Sequence, residues 1–527
     1  MNWMHDAAKI YDAVMDGRIS ESPDLPLVPI SHTEANAHVE ITLSADGVFL
    51  AARMIPKREA TTILPSTEES ATRSGKQPKP HPLHDKLQYL ASDFRKCGGR
   101  VTIGFVNDPE QPQKDFIEGL SAWCASSYAH RKVLAVQTYL HGKSLMSDLQ
   151  KNLGTVLFDG GLFRDVFVNK KDYATGTPMD CFVRWRVEIP GDPESKLWRD
   201  KAVQKSWTDY YLSSKTEKGR CYVTGAEVPL ATLHPARLRH GGDKAKLISA
   251  NDENGLTFRG RMTSGQEACG VGFEFSQKAH SALRWLIARQ GRIFGDCAYV
   301  VWGWQDEVHE SPFNPFNDTD QAFEDLFGDA ETGITQLNRA EKLADKRRIT
   351  LAALYAKDLM RCMAGYGNRL SACHSNIHIV AIDSATTGRM SLVLDRTIES
   401  TRLIENLQAW HRDAAWLQDF GLIGSGKERK SRRFIGAPAP VDIVKAVYGQ
   451  DPNKKLLSAA INRILPVIRS ILICLKSANA SGYSPNKSLR SAVKFPLSHG
   501  TSRRLRERMI ANACSSIFCS KNSFTVV

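Results

Sequence analysis

The stretch FSQKAHSALRWLIARQGRIFGDCAYVVWGW, from Phe275 to Trp304, indicates an amphipathic helix followed by a buried strand. Its first part has apolar residues three or four positions apart, which form one stripe along a helix. The stripe consists of Ala279, Ala282, Leu283, Leu286 and Ile287. We predict that Ser276 caps the amino end of this helix and that Gly291 ends it. Cys297–Trp304 is an unbroken apolar run, which predicts a strand buried on both faces.

A cationic segment precedes this helix, LHPARLRHGGDKAKLISANDENGLTFRGRM, Leu233–Met262. Such a segment beside a rigid helix and strand suits a scaffold that contacts phosphate groups. Its asparagines suit turns, and an asparagine side chain also pairs with adenine edges. Two interpretations stay open, a nucleic-acid contact or a surface hairpin whose asparagines serve only the turn. The first predicts contacts from Lys244, Lys246, Ser249, Asn251, Arg259 and Arg261.

A second basic segment, TEESATRSGKQPKPHP, Thr67–Pro82, has no apolar periodicity and predicts a loop. A glycine within it permits close approach of the backbone to a ligand. The serine and arginine beside that glycine are able to hydrogen-bond phosphates or base edges. The alternative is a mobile surface loop without a ligand. The binding interpretation predicts contacts from Arg73, Ser74, Gly75, Lys76 and Lys79.

The composition is that of a soluble globular protein, with 42% hydrophobic and 24% charged residues in a chain of 527. We expect such a length to form about two to four domains. No apolar run approaches the roughly 20 residues that span a bilayer. The beginning of the chain, MNWMHDAAKIYDAV, lacks the features of a signal peptide. Eleven cysteines without a C-x-x-C pair indicate reduced thiols and argue against a zinc ribbon. We therefore predict a cytoplasmic protein without a membrane partner.

The net charge of +13 is concentrated at the carboxyl end. From Asp451 onward there are 13 Lys and Arg against two acids, so the rest of the chain is close to neutral. Asp306–Glu341, by contrast, holds ten acids and one Arg, and we do not expect it to face nucleic acid. It is either a solvated face or a contact for a basic partner subunit. Local basic patches are therefore better indicators of a nucleic-acid contact than the overall charge.

The segment GLIGSGKERK, Gly421–Lys430, resembles a phosphate-binding P-loop but departs from it at a decisive position. Glu428 occupies the place where that motif has a Ser or Thr hydroxyl that binds magnesium. The residues before it also look helical, whereas a P-loop follows a buried strand. We therefore reject nucleotide binding. What remains is a solvated flexible loop or a contact with nucleic-acid backbone through Lys427, Arg429, Lys430, Arg432 and Arg433.

His374 and His378, with Cys373 and Asp383 nearby, raise the question of a metal or hydrolase site. The run from Ile377 to Ile382 is β-branched, which predicts a strand. In a strand the two histidines would lie about 13 Å apart, whereas ligands of one ion each lie about 2 Å from it. The motifs G-x-S-x-G, H-E-x-x-H and G-x-G-x-x-G do not occur. We predict no catalytic residue, no metal site and no cofactor.

The two segments around the opening helix, together with five further motifs in the same order, resemble the large subunit of the type I-C CRISPR surveillance complex, Cascade. Each motif is short, and it is the ordered set that is specific. The resemblance extends from about residue 1 to about residue 466. The five motifs are NAHVEI (Asn36–Ile41), HPLHDKLQYLASDF (His81–Phe94), TGRMSL (Thr387–Leu392), Trp410-His411 and IGAPAPVDIVKAVYG (Ile435–Gly449).

The resemblance implies a non-catalytic protein near the 5′ handle of the crRNA. It implies recognition of the protospacer-adjacent motif (PAM) in target double-stranded DNA and help in forming the R-loop. The implied partners are the crRNA, the target DNA, the backbone, handle-binding and small subunits of Cascade, and a recruited helicase-nuclease. In such complexes guide pairing supplies sequence specificity while the protein recognises a short duplex element. On this hypothesis the loop from Arg73 to Lys79 approaches the PAM duplex.

Two other functions stay open. The first is a nucleic-acid-processing enzyme, a metal- or histidine-dependent nuclease that uses histidines such as His234, His374, His378 and His411. The second is an RNA-binding module unrelated to CRISPR. Metal-dependent cleavage by the purified chain would favour the enzyme. Binding that requires crRNA and partner subunits would favour the scaffold.

We predict an α+β fold, in which a multi-domain body with antiparallel and mixed sheets precedes an α-helical carboxyl-terminal region that looks truncated or altered. Within the first part, VEITLSADGVFLAARMI and VTIGFV resemble strands, as does MDCFVRWRVEIP, whose alternation suggests one solvated face. RLIENLQAWHRDAAWLQDF, Arg402–Phe420, resembles a helix. The expected regions are a β-rich part (1–110), a mixed α/β body (111–305), an acidic connection (306–345), an α/β to helical region (346–440) and a partly helical region with a basic tail (441–527).

The tail after Pro466 lacks the helical bundle, similar to the complex's small subunit, that the resemblance implies. LKSANASGYSPNKSLRSAVKFPLSHGTSRR offers no sustained apolar stripe, and its glycines and prolines interrupt helices. A frameshifted or truncated reading frame would give this pattern, and so would a divergent basic tail. Either way we expect no folded bundle there.

Overall fold

A computed structural model describes residues 3–22, 25–73, 75–142, 144–159, 162–164, 176–177, 180–249, 262, 265–304, 315–322, 376–386, 388–413, 416–423, 430–449 and 451–462. The chain divides into two compact units. The first unit is Met1–Arg289 with Ser384–Ser391, and the second is Gln290–Asp383 with Leu392–Val527. The predictions for the tail after Pro466 and for His374 lie outside the described residues. The five-region division stays a prediction.

Eleven helices have both ends within the described ranges, and no helix of the described residues is long and apolar enough to cross a membrane. They are α1 (Trp3–Met15), α2 (Glu68–Thr72), α3 (Leu87–Leu90), α4 (Gln111–Cys124), α5 (Arg131–His141), α6 (Leu145–Leu157), α7 (Lys201–Ser213), α8 (Gly265–Ala268), α9 (Phe273–Gln290), α10 (Ser400–Asp413) and α11 (Pro440–Tyr448). Residues 454–462 are also helical. Short 3₁₀ turns occur at Lys57–Glu59 and Ile103–Phe105.

The strands belong to several separate open sheets, so the predicted α+β class is confirmed. They are β1 (His32–Asn36), β2 (Val39–Ser44), β3 (Phe49–Met54), β4 (Thr61–Pro65), β5 (Asp85–Lys86), β6 (Phe158–Asp159), β7 (Leu162–Phe163), β8 (Phe182–Glu188), β9 (Lys218–Arg220), β10 (Glu227–Pro229), β11 (Arg292–Phe294), β12 (Cys297–Trp304), β13 (Asn376–Thr386), β14 (Arg389–Glu399), β15 (Trp416–Ile423) and β16 (Lys430–Gly436).

Two sheets have four strands each, in the orders β3-β2-β8-β5 and β11-β12-β13-β14. The first is mixed, because β2 pairs with β8 in parallel and with β3 antiparallel. The pairs β1-β4, β6-β7, β9-β10 and β15-β16 form two-stranded sheets. The main core of the first unit joins the apolar face of β2 and β8 to helices α4 and α5, with Trp123 and Trp185 fully buried in it.

The prediction of a solvated face on β8 is wrong. Arg184, which the alternating pattern places on the polar side, is buried and donates two hydrogen bonds to Glu40 of β2, at 2.9 and 2.7 Å. Its guanidinium also lies 3.8 Å from the ring centroid of Trp198. Arg53 of β3 donates to the same carboxylate. Arg184 therefore belongs to a buried ionic network, because β8 is an inner strand with a partner on each side, whereas Arg186 and Glu188 on the same face are half-buried.

The opening helix agrees with its sequence pattern except at its amino end. All five stripe residues are buried, and the helix ends at Gln290, immediately before Gly291. Ser276 does not cap it, because α9 begins at Phe273, whose side chain is buried. The strand prediction for Cys297–Trp304 is confirmed, since both faces of β12 are buried from Cys297 to Trp302. The unit boundary falls between this helix and this strand.

Four further sequence predictions have mixed outcomes. The run from Ile377 to Ile382 lies in strand β13, and VEITLSADGVFLAARMI contains the paired strands β2 and β3, so both strand predictions are confirmed. VTIGFV is not a strand, since it contains a 3₁₀ turn with Ile103 exposed. The helix predicted through Phe420 ends at Asp413, and β15 follows from Trp416. Trp416 and Leu417 pair with Gly436 and Ile435 of β16 rather than continuing the helix.

Candidate nucleic-acid interface

The predicted loop Thr67–Pro82 begins as a short helix. Thr67 caps α2 by accepting a hydrogen bond from the Ser70 amide, while the Ser70 hydroxyl accepts one from the Thr67 amide. Two acids in the first turn, Glu68 and Glu69, suit the positive end of a helix. The prediction that this whole segment is a loop is therefore wrong for residues 67–72, because a capping box stabilises one helical turn without an apolar stripe.

Arg73 follows this helix in the left-handed backbone region, with φ of 43°. Its guanidinium forms an ion pair with Asp85, a fully buried carboxylate. It also lies 4.9 Å from the ring centroid of Tyr89. The backbone amides of His81 and Lys86 donate to the same carboxylate, at 2.7 and 2.6 Å. Arg73 thus holds the two ends of the segment together inside the protein.

The tip of the segment is exposed. Gly75 has φ of +95° and open space around it, and the side chain of Lys76 is exposed. The backbone of Lys76 packs directly on Gly104, where an added Cβ would lie 1.9 Å from the Lys76 carbonyl oxygen. Lys79 forms a surface ion pair with Asp115 at 3.3 Å. Lys76 and Lys79 therefore project from an anchored backbone, while Ser74 lies outside the described residues.

The second basic segment contacts the β13–β14 hairpin. The Lys246 amide donates to the Gly388 carbonyl at 3.2 Å, and the Met390 amide donates to the Lys246 carbonyl at 2.9 Å. Lys244 is exposed, whereas Lys246 is half-buried, and burial lowers its pKa. Ser249 is also half-buried. The predictions for Asn251, Arg259 and Arg261 lie outside the described residues.

Glu68, near the start of the first basic segment, is hydrogen-bonded to the start of the second. Its buried carboxylate accepts hydrogen bonds from the amides of Thr232 and Leu233, at 2.9 and 3.0 Å, where the second segment starts. It also accepts one from the Thr232 hydroxyl at 3.1 Å and forms an ion pair with Lys215 at 2.6 Å. We call α2, residues 230–249 and residues 388–390 the loop junction. The structure thus brings together two segments that lie far apart in sequence.

Three arginines at or near the loop junction were not identified as candidate site residues from the sequence. Arg237 has φ of 63° and donates to the Glu34 carbonyl at 2.9 Å. Arg284 of α9 forms an ion pair with the Glu34 carboxylate, and Arg389 is exposed beside Gly388. Burial lowers the pKa of Arg237, and the nearby charges of Arg284 and Arg73 lower it further. Only Arg237 lies in a segment whose cationic character the sequence indicated.

The third basic segment belongs to the second unit. Lys430, Arg432 and Arg433 lie in β16, which pairs antiparallel with β15, and Lys427 and Arg429 lie outside the described residues. The helix that we expected before Gly421 is a strand, so that argument against a P-loop was wrong. The rejection of nucleotide binding has a different support. A P-loop is followed by a helix, whereas here the strand β16 follows.

The candidate catalytic histidines are buried. His234 lies 2.8 Å from the Ser276 hydroxyl, His378 stacks on Trp302, and His411 contacts the Thr319 hydroxyl at 2.9 Å. Burial lowers the pKa of His234 to about 3 and that of His411 to about 4. Within the described ranges there is no group of three or more side chains that would hold a metal ion. These three histidines therefore have partners inside the fold.

A family model described as CRISPR-associated protein (Cas_Csd1) matches residues 9–472 of the chain. The match spans both units and all three basic segments. A comparison with curated proteins found no match.

Proposed function

The chain belongs to the Cas_Csd1 family, the large subunits of type I-C CRISPR Cascade complexes, and on that premise we propose that it recognises the PAM in target duplex DNA. In this proposal it is a non-catalytic subunit that binds near the crRNA 5′ handle and promotes R-loop formation. Its partners are the crRNA, the target DNA, the other Cascade subunits and the recruited helicase-nuclease. The protein would recognise a short duplex element while the guide supplies sequence specificity.

The observation that supports this proposal most directly is the loop junction. Two basic segments that were selected separately from the sequence are hydrogen-bonded through Glu68. The backbones from which Lys76 and Lys244 project are fixed, so little ordering of the chain is required when they meet DNA. Exposed lysines on fixed loops suit contacts to phosphates, which position a duplex without reading its sequence.

The predicted residues divide into three roles within this proposal. Lys76, Lys79 and Lys244 contact phosphate, since the surface ion pair of Lys79 is weak enough to exchange. Ser249 and Asn251 are the candidates for base edges, with Arg259 and Arg261 beside them. Arg73 stabilises the loop through its ion pair with the buried Asp85 and does not contact DNA. In the second unit we propose backbone contacts from Lys427, Arg429, Lys430, Arg432 and Arg433.

The test uses the complex assembled with crRNA and partner subunits. We expect Lys76→Ala and Lys244→Ala each to weaken binding to all duplexes alike and to reduce the slope of log affinity against log salt by about one. Replacing Lys244, Lys246, Arg259 and Arg261 together should flatten this slope further. The matched control is Lys151→Ala on α6, whose side chain is 73% exposed and which should change neither quantity.

Two results would contradict the proposal. The first is an unchanged salt slope in the variant that lacks all four cations. The second is magnesium- or manganese-dependent cleavage by the purified chain that a single substitution, such as His411→Gln, abolishes. Loss of affinity confined to one PAM would instead assign base recognition to the altered residue.

A further inference from the structure

A cavity lies beside the loop junction, within the first unit. It is bounded by β1, α2, residues 233–238 and α9, and it encloses solvent space of about 60 Å³. At roughly 15 Å³ for each water-sized group, this is room for about four such groups. His32, Arg237, Gln277 and Arg284 line it, together with Glu68. The cavity therefore has room for a small polar group.

The charge that faces this cavity is not neutralised. Glu68 already accepts hydrogen bonds from two amides and a hydroxyl and is paired with Lys215. Arg284 is paired with Glu34. Arg237, in contrast, donates to a backbone carbonyl, and no carboxylate of the described residues lies within ion-pair distance of its guanidinium. The cavity thus has an excess positive charge at Arg237.

The backbone of Arg237 has an unusual conformation for a residue with a side chain. Its φ of 63° lies in the left-handed region, where bulky residues are rare. Such conformations occur where the surrounding structure fixes a functional residue. Here the Arg237 amide donates to the Asp243 carbonyl at 2.9 Å, which fixes the turn. A half-buried, charged side chain is therefore held at the cavity although burial and two neighbouring arginines oppose it.

We propose that this cavity binds a phosphate group through Arg237. A guanidinium has five hydrogen-bond donors and matches the geometry of phosphate oxygens, and one of these donors has a partner among the described residues. The Gln277 side chain lines the same cavity and provides an amide donor. The phosphate group is either inorganic phosphate or part of a bound nucleic acid, and the two sources share this chemistry.

The first experiment uses the full chain and no nucleic acid, so its outcome does not depend on the proposed function. Thermal unfolding is followed in increasing inorganic phosphate and in sodium chloride of equal ionic strength. A ligand that binds only the folded state raises the unfolding midpoint. We expect this rise in the unaltered chain and in the control Arg58→Gln, whose side chain is 85% exposed. Arg237→Asn should abolish it, and asparagine tolerates the left-handed backbone.

A second variant covers the case in which Arg237→Asn does not fold. Arg237→Lys keeps the positive charge but loses the planar arrangement of guanidinium donors. The phosphate concentration that gives half of the maximal rise in the unfolding midpoint should therefore increase about tenfold. The inference is overturned if phosphate protects no better than chloride. It is equally overturned if both Arg237 variants respond to phosphate as the unaltered chain does.

A second arm identifies the source of the phosphate group. Duplex DNA binding by the assembled complex is measured at several salt concentrations with Arg237→Asn and Arg58→Gln. If the group belongs to nucleic acid, the salt slope falls by about one in Arg237→Asn alone and inorganic phosphate competes with the duplex. If free phosphate is the ligand, the slope is unchanged while the thermal response to phosphate is lost.

Discussion

Arg73 shows how a residue selected for binding serves the fold. In the sequence it lies beside Ser74 in a segment rich in charge that predicts a loop, and nothing in that pattern indicates Asp85 as its partner. The two residues meet because the segment folds back so that His81 and Lys86 donate backbone hydrogen bonds to the same carboxylate. Lys76, three residues further along, has no such role and stays exposed.

We predict that Arg73→Met destabilises the first unit by about 3–5 kcal/mol, because it leaves the Asp85 carboxylate buried without its cation. The measurement is urea unfolding of the full chain. Adding Asp85→Asn to Arg73→Met should recover part of the loss, since the remaining buried group is then neutral. Lys76→Met is the matched control and should change stability by less than about 0.5 kcal/mol. A cost no larger than that of the control would show that Arg73 is free to bind a ligand.

Helices and strands were predictable where burial alone determines them. The stripe from Ala279 to Ile287 and the apolar run from Cys297 specify α9 and β12, because the first buries one face of a helix and the second buries both faces of a strand. The end of α9 was also predictable from Gly291. Its beginning was not, because Phe273 lies next to Gly272 and only the structure shows that its side chain is buried.

Elements whose polar residues are buried were not predictable from the same rules. In β8 the arginines alternate with apolar residues, a pattern that is typical of a strand with one solvent-exposed face. The parallel pairing with β2 places Arg184 opposite Glu40, a partner 144 residues away. The contacts of Glu68 with Thr232 and Leu233 are of the same kind. The candidate interface was thus predictable as two basic segments, and their junction was not.

We predict strong coupling between Arg184 and Glu40 across β8 and β2. Arg184→Met should cost about 3–5 kcal/mol, because it leaves a buried carboxylate with Arg53 as its remaining ion-pair partner. A double-mutant cycle with Glu40→Gln should give an interaction energy of about 1–3 kcal/mol. Arg186→Met on the same strand is the control, since its pair with Glu188 is partly exposed and should be worth less than about 1 kcal/mol. Additive single and double effects would show that the network contributes no specific stability.

At the scale of the whole molecule, the first unit combines local basic segments at its surface with neutral histidines in its interior. Burial lowers the pKa of His32 and His280 to about 4 and that of His84 and His234 to about 3. Nearby cations add to the effect, Arg184 for His84 and Lys246 for His234. None of these histidines is available to act at the surface. Their common property is that they must be neutral for the unit to fold.

We predict that the first unit loses stability as the pH falls from about 6.5 toward 4. In the unfolded chain these histidines protonate near pH 6.5, whereas in the folded chain they stay neutral down to a pH of about 4 or 3. Between these values the unfolded state binds more protons, so acid favours it, by up to about 1.4 kcal/mol per pH unit for each histidine. Urea unfolding at several pH values measures the slope. His234→Asn should reduce the slope, whereas replacement of the exposed His5 by glutamine should leave it unchanged. A stability that stays constant between pH 6.5 and 4.5 would show that the buried histidines are already charged in the folded protein.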